Sequence, residues 1–257
     1  MNEDFKYKKK CACCGKKGEY IYEPLSDYYL KMYKKFNVNH VYEFLNVREY
    51  NCKCCHATDR GRMICAFLQL IKLHMIKKEI RLLHIAPEKS VEEWILKNCS
   101  NVVYESTDLF EENVNFFSDI QNMKNIEDST YDFFICSHVL EHVKDDQKAM
   151  RELFRILKQD GLGILLVPIC LDLEKIDEEW GRTEEENWKR FAQNDHCRIY
   201  SKSGFINRLK SNGFYVHIIG KDLLGDKLFE ENSLKKTSVL YVVSKVEMNI
   251  SQKIWYS

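Results

Sequence analysis

The chain has 257 residues, 39 Lys and Arg against 39 Asp and Glu, 45% hydrophobic and 30% charged residues. That balance excludes a disordered or low-complexity polymer and fits a soluble protein with a sizeable core, either one large domain or a main domain with an appendage. The longest apolar run, 162–171, is far short of the roughly 20 residues a bilayer-spanning helix needs, and 3 Pro and 10 Gly leave little material for linkers.

The opening residues Asn2-Glu3-Asp4-Phe5-Lys6 carry no apolar leader, so a cytoplasmic location is expected. The 11 cysteines then read as metal ligands or reduced core thiols rather than disulfides. Two Cys-x-x-Cys pairs stand out, Cys11 with Cys14 and Cys52 with Cys55. Together they supply the four sulfurs of a closed tetrahedral Zn²⁺ site, which is structural because no coordination position stays open. Gly15 lets the first turn curl back on its sulfurs. Cys13 and Cys54 are alternative ligands, and His56 an alternative fourth. With 37 residues between Cys14 and Cys52, the spacing predicts a ribbon carrying an elaborated insert, not a compact finger. Within it, 19–23 and 41–47 have strand composition and 28–36 reads as a helix.

Residues 1–79 hold 16 Lys and Arg against 9 Asp and Glu. This excess of seven, beside Tyr28, Tyr29 and Tyr33, suits nucleic acid or a phosphorylated carrier. A solvated basic face around a thiolate site is the simpler explanation.

From Asp59, apolar residues recur at helical spacing (Met63, Phe67, Leu70, Ile71), giving a helix that joins the ribbon to the rest of the chain. Strands and helices then alternate. Strand 81–85 precedes a helix at 91–98 with a Ser90/Glu93 capping box. Strand 102–106 ends at Asp108, strand 131–137 ends at Ser137, and an amphipathic helix starts at Asp145. Strand 161–168, a charged loop at 172–194, helix 201–212, strand 214–220 and strand 238–246 complete the series. Successive β-α units predict an α/β fold, a parallel sheet with helices on both faces. The expected organisation is a zinc-ribbon-like module at 1–59, a connecting helix at 60–79, the main domain at 80–246 and a tail at 247–257.

Ligands of such sheets bind across the carboxyl ends of the strands. The residues there are His84-Ile85-Ala86-Pro87-Glu88, Asp108, Asp119, Ser137 and His138. An acidic residue at the second strand end, Asp108, suits paired ribose hydroxyls, and Asp119 an exocyclic adenine amine. In order, they describe a nucleoside-shaped pocket.

The block Tyr131-Asp132-Phe133-Phe134-Ile135-Cys136-Ser137-His138-Val139-Leu140-Glu141-His142, with the 151–158 and 161–168 segments after it, resembles the type-eleven group of class I S-adenosylmethionine-dependent methyltransferases. Nearly the whole chain is similar to a bacterial subgroup with paired Cys-x-x-Cys motifs, H-x-A-P-E at the first strand end and a later F-x-Q-x-D-H-x-R-x-Y segment, here Phe191 to Tyr200. The resemblance implies a Rossmann-like, mostly parallel seven-stranded sheet and bound S-adenosylmethionine, held by His84, Ala86, Pro87, Glu88, Asp108, Asp119, Ser137 and His138. Ala86-Pro87 replaces the family's glycine-rich turn, which leaves Glu88 to meet the cofactor's ammonium. His196 is the first candidate base and His138 the second, while Asp195 and Arg198 are candidates for holding substrate. His142 reads as structural. Trp180 and Trp188 either line a lid over the acceptor or pin the loop they occupy. The subgroup's association with cell-surface glycans implies a hydroxyl acceptor on a small or carrier-linked glycan. An RNA methyltransferase and an inactive zinc-bearing adaptor are the competing readings.

Overall fold

The mostly apolar runs 80–85 and 131–137 form strands sealed on both faces, as buried parallel strands require. The computed structural model describes residues 7–248; the expected tail beyond Met248 lies outside the described residues. Short strands β1 (Tyr22–Glu23) and β2 (Asn51–Cys52) pair antiparallel and bracket an insert containing helix α1 (Asp27–Lys35). Helix α2 (Asp59–Leu70) leads into β3 (Ile80–Ile85), α3 (Lys89–Asn98), β4 (Val102–Asp108) and β5 (Phe116–Phe117). There follow β6 (Tyr131–Ser137), α4 (Asp146–Ile156), β7 (Leu157–Leu166), β8 (Ile169–Cys170), β9 (Asp177–Glu178), α5 (Glu184–Phe191) and β10 (Arg198–Ser201). The described chain ends with α6 (Lys202–Ser211), β11 (Tyr215–Ile219), α7 (Lys221–Leu224), α8 (Asp226–Glu231) and β12 (Leu240–Ser244). Among the described residues, no helix is long and apolar enough to cross a membrane.

The main sheet has seven strands in the order β11-β12-β7-β6-β3-β4-β5. All its neighbours are parallel except β12, which runs antiparallel to both β11 and β7. The expected mostly parallel, Rossmann-like sheet is what forms. After β5 the chain crosses to the opposite side of β3 to lay down β6, so the order reverses between β3 and β6. Ile85 is in register with Thr107 on β4 and with Cys136 on β6. Three adjacent strands therefore end at one level, with tips about 5 Å apart.

The N-terminal segment is joined to the end of α8 through Arg62, which has no exposed surface. Its guanidinium donates to the carbonyls of Asn232, Tyr50, Ala57 and Glu49 at 2.7–2.9 Å and lies 4.1 Å from the Tyr22 ring centroid. Glu43, also buried, accepts from Tyr241 on β12 and pairs with Lys202 on α6.

Three local expectations are corrected. Ser90 and Glu93 form no capping box, because α3 starts at Lys89 with Glu88 as N-cap and no side-chain cap bond; the Glu88 carboxylate is drawn instead to α2. Residues 41–47 make no strand beyond a Tyr42–Cys170 bridge. There Leu45 turns left-handed, at φ 83°, and the Asp59 carboxylate takes the Leu45 and Asn46 amides. The 172–194 stretch is no plain loop: it holds β9 and α5, the latter opened by a complete Thr183/Glu186 capping box.

Candidate functional site

Thiolates of the two Cys pairs converge at one end of the insert. Cys11 Sγ lies 3.7 Å from Cys55 Sγ and Cys14 Sγ lies 3.8 Å from Cys52 Sγ, and all four sulfurs lie within 4.8 Å of one another. The edge of a tetrahedron with 2.3 Å Zn–S bonds is about 3.8 Å, so two edges already match it and the set fits the metal. Each pair sits in the same knuckle: the Gly15 amide donates to Cys11 O and the His56 amide to Cys52 O, both at 2.8 Å. Each knuckle then turns left-handed, at Gly15 (φ 73°) and His56 (φ 56°). His56 is thus the turn residue of the second knuckle, with its side chain 80% exposed, and not a ligand. Cys13 points to Gly61 O on α2, and Cys54 is exposed.

At the tips of β3, β4 and β6 the site is polar and incompletely bonded. His84, wholly buried, lies between the Tyr104 hydroxyl at 3.0 Å and the Glu88 amide, which donates to its Nε2 at 3.4 Å. That amide requires the Nδ1–H tautomer, and burial lowers the ring to a pKa of about 4; His84 props the turn after β3. Ala86 takes the left-handed conformation there (φ 48°), which costs any residue with a Cβ about 1–2 kcal/mol. Ala86→Gly is accordingly expected to raise stability by about 0.5–1 kcal/mol in urea unfolding, the added unfolded-state freedom offsetting part of the relief. A lower midpoint would show that the methyl packs usefully. Glu88 Oε2 accepts from the Thr58 hydroxyl at 3.1 Å, and Oε1 lies 3.4 Å from Arg60 Nε. Arg60 Nε, Glu88 Oε1, Thr107 Oγ1 and Ser137 Oγ are all buried without a hydrogen-bond partner. Asp108 spends Oδ1 on the amides of Phe110 and Glu111, and Asp119 spends Oδ1 on Gln121.

Beside these tips, a cavity of about 270 Å³ is walled by His138, His142, His196, Pro168, Arg60 and Phe191. The insert roofs it with Tyr29, Tyr33, Tyr42 and Tyr50. Burial raises the pKa of all four phenols, so they remain neutral hydrogen-bonding groups. Trp188 is buried among Tyr28, Tyr29 and Tyr33 and stacks on Phe36 at 5.9 Å. It pins α5 to α1 rather than facing an acceptor, and Trp180 is 56% exposed elsewhere.

The cavity floor is a cluster that sequence reasoning only partly assembles. Glu141 has no exposed surface. His138 Nδ1, His196 Nε2 and His142 Nε2 lie 3.3, 3.9 and 4.0 Å from its Oε1. Burial lifts Glu141 to a pKa of about 7 and lowers His196 to about 3 and His138 well below the ordinary imidazole value. His142 shifts upward: burial opposes its charge, but the Asp195 and Glu141 carboxylates outweigh it. Expected to turn away as a structural ring, His142 instead lines the cavity. Glu141 is absent from the sequence-derived candidates, although its place between two histidines four residues apart is a readable signal.

The Phe191–Tyr200 segment proves to be a clamp on the loop after β6. Ala192 turns left-handed (φ 64°) at the end of α5, swinging Asp195 and His196 back over that loop. Asp195 Oδ2 pairs with His142 Nδ1 at 3.1 Å. Arg198, expected to grip substrate, is 4% exposed. Its fork is consumed by the carbonyls of Leu140, Val143 and Lys144 and by Glu178. Tyr200 donates to Asp146 at 2.6 Å. His138 and His196 line the cavity, whereas Asp108, Asp119, Asp195 and Arg198 do not.

A family model described as a methyltransferase domain matches residues 60–218. No curated protein matches the chain. Similar solved structures include a chain of the complex between the Haloferax volcanii Trm112 methyltransferase activator and its methyltransferase: 10% identity, TM-score 0.47, covering 74% of this chain and 94% of that one. An S-adenosylmethionine-dependent methyltransferase from Mesorhizobium loti is 12% identical with a TM-score of 0.46, covering 69% of this chain and 97% of that one. One from Aquifex aeolicus is 14% identical with a TM-score of 0.41, covering 69% and 85% respectively.

Proposed function

The chain belongs to the methyltransferase-domain family, and on that premise we propose that it transfers a methyl group to a hydroxyl of a small or carrier-linked glycan unit bound beneath the tyrosine roof. The carrying observation is the pair of buried hydroxyls without a hydrogen-bond partner, on Thr107 and Ser137, next to the Arg60–Glu88 ion pair, where three in-register strands end beside that cavity. An amino-acid zwitterion complements that ion pair: its ammonium meets Glu88 and its carboxylate meets Arg60. Bound there, S-adenosylmethionine supplies an electrophilic methyl on a sulfonium.

The protein's own task is alignment and exclusion of water. The roof tyrosines offer apolar faces and phenolic hydrogen bonds, a combination suited to sugar rings. The cavity, about 270 Å³, is near the lower end of the range for small ligands, roughly 300–1,000 Å³. His138, with Nδ1 toward Glu141, presents Nε2 to receive the acceptor's proton. His196 holds its Nδ1 against Phe191 O at 3.2 Å and shapes the floor. The four thiolates of Cys11, Cys14, Cys52 and Cys55 hold Zn²⁺ as a structural staple.

The test is calorimetric titration of S-adenosylmethionine into the native chain and into Glu88→Gln. Loss of one charge-assisted contact, about 1.5–3 kcal/mol, is expected to weaken binding roughly 10- to 150-fold. No binding to the native chain at millimolar ligand would sink the reading in favour of an inactive adaptor. Binding of RNA that collapses steeply with added salt would redirect the acceptor to nucleic acid. Lys9, one of the basic N-terminal residues, is buried and paired with Glu49.

A further inference from the structure

We propose that Glu141, His142 and His196 bind a divalent transition-metal ion, of the zinc class, on the floor of the tyrosine-roofed cavity, separate from the thiolate site. One ligand atom from each lies within 4.8 Å of the others, and both imidazole Nε2 atoms approach the same carboxylate oxygen, at 4.0 and 3.9 Å. Bonds of about 2.1 Å to nitrogen and oxygen put tetrahedral neighbours roughly 3.4 Å apart, so each imidazole need approach the carboxylate oxygen by only about half an ångström.

The remaining ring nitrogens are already committed as metal-binding imidazoles commit them. His142 Nδ1 faces the Asp195 carboxylate at 3.1 Å and His196 Nδ1 faces the Phe191 carbonyl at 3.2 Å. Both contacts select the tautomer that leaves Nε2 lone pairs toward Glu141. The independent observation is Glu141 itself, which is fully buried with neither carboxylate oxygen accepting a hydrogen bond. Leaving such a group partnerless costs several kcal/mol, and a cation between it and the two imidazoles removes that cost. The cluster at His40, Cys170 and Asp172 lacks this property: Asp172 is exposed and already takes the Val41 amide.

Two nitrogens and one oxygen form a donor set that suits zinc and leaves a position open. Two of the three ligands, His142 and His196, line the cavity, so an acceptor hydroxyl entering it can coordinate there and be polarised. The loop carrying Glu141 and His142 is held rigid by Arg198 and by the Cys197 amide, which donates to Glu141 O at 2.9 Å.

The test is metal analysis of the purified full chain loaded with Zn²⁺ or Co²⁺. About two equivalents per chain are expected, one for the thiolates and one for this cluster. The Co²⁺ form should show sulfur-to-metal charge transfer from the first and a separate nitrogen/oxygen ligand-field spectrum from the second. Glu141→Gln and His196→Asn should each lose the second equivalent and its spectrum, keep the thiolate band, and retain native circular dichroism. A single equivalent in the native chain, or a second one surviving in both variants, overturns the proposal and leaves a proton-sharing cluster. Should a variant not fold, the native stoichiometry and spectrum decide alone. Because the readout is metal content, its failure is distinguishable from failure to bind S-adenosylmethionine.

Discussion

Replacing Cys52 with Ser, or stripping the thiolate metal with a strong chelator, is expected to lower the melting temperature by roughly 10 °C or more and to abolish acceptor methylation. Cys11 and Cys52 are completely buried, yet the ladder between β1 and β2 has only two residue pairs. Arg62 and Glu43 tie the segment to the rest of the chain, but the two knuckles themselves are joined only by that short ladder and by whatever the four thiolates hold. Structural zinc contributes about 10–16 kcal/mol of apparent binding free energy, comparable to the whole stability of a domain, about 5–15 kcal/mol. Releasing the knuckles frees the insert, and with it Tyr29, Tyr33 and Tyr50 of the cavity roof. Thermal unfolding with and without chelator, followed by zinc add-back, reads the effect. An unchanged melting temperature in the metal-free chain would overturn it.

Arg62→Met should cost about 3–5 kcal/mol, the range for breaking a buried charged network by removing one partner. The substitution keeps most of the volume but strands four carbonyls that the guanidinium now satisfies, at about 1–3 kcal/mol for each left without water. Arg62→Lys should recover less than half, because a compact ammonium cannot reproduce the fork. Urea denaturation gives both values from the midpoint shift at constant slope. A native-like midpoint for Arg62→Met would mean that water reaches those carbonyls.

The parts of the fold written locally are readable in the sequence. Between Asp132 and Ser137 the strand Tyr131–Ser137 is apolar, as a strand buried on both faces requires, and Asp145 caps α4 by accepting from the Lys148 amide, as its position suggests. The thiolate set follows from spacing because knuckle geometry is local. The insertion of β12 between β7 and β11 is a long-range pairing that no local pattern encodes. Helix α5 escapes notice because its acidic first turn resembles a solvated loop, although Thr183 and Glu186 stand at capping-box spacing. Arg198 misleads for a related reason: a fork suited to a substrate anion is equally suited to three converging carbonyls, and only coordinates distinguish them. Glu141 is hidden by the expectation that carboxylates stay exposed.

Both ends of the segment 15–51 are anchored on the same tetrad of sulfurs, while its middle supplies the ceiling of the cavity. Between those ends the segment is fixed at chosen points only, by Glu43 to β12 and α6 and by Phe36 against Trp188, so its other aromatic residues can be exchanged without disturbing the strands beneath. Exchanging Tyr29 or Tyr33 of the ceiling is accordingly expected to alter acceptor choice while leaving S-adenosylmethionine binding unchanged.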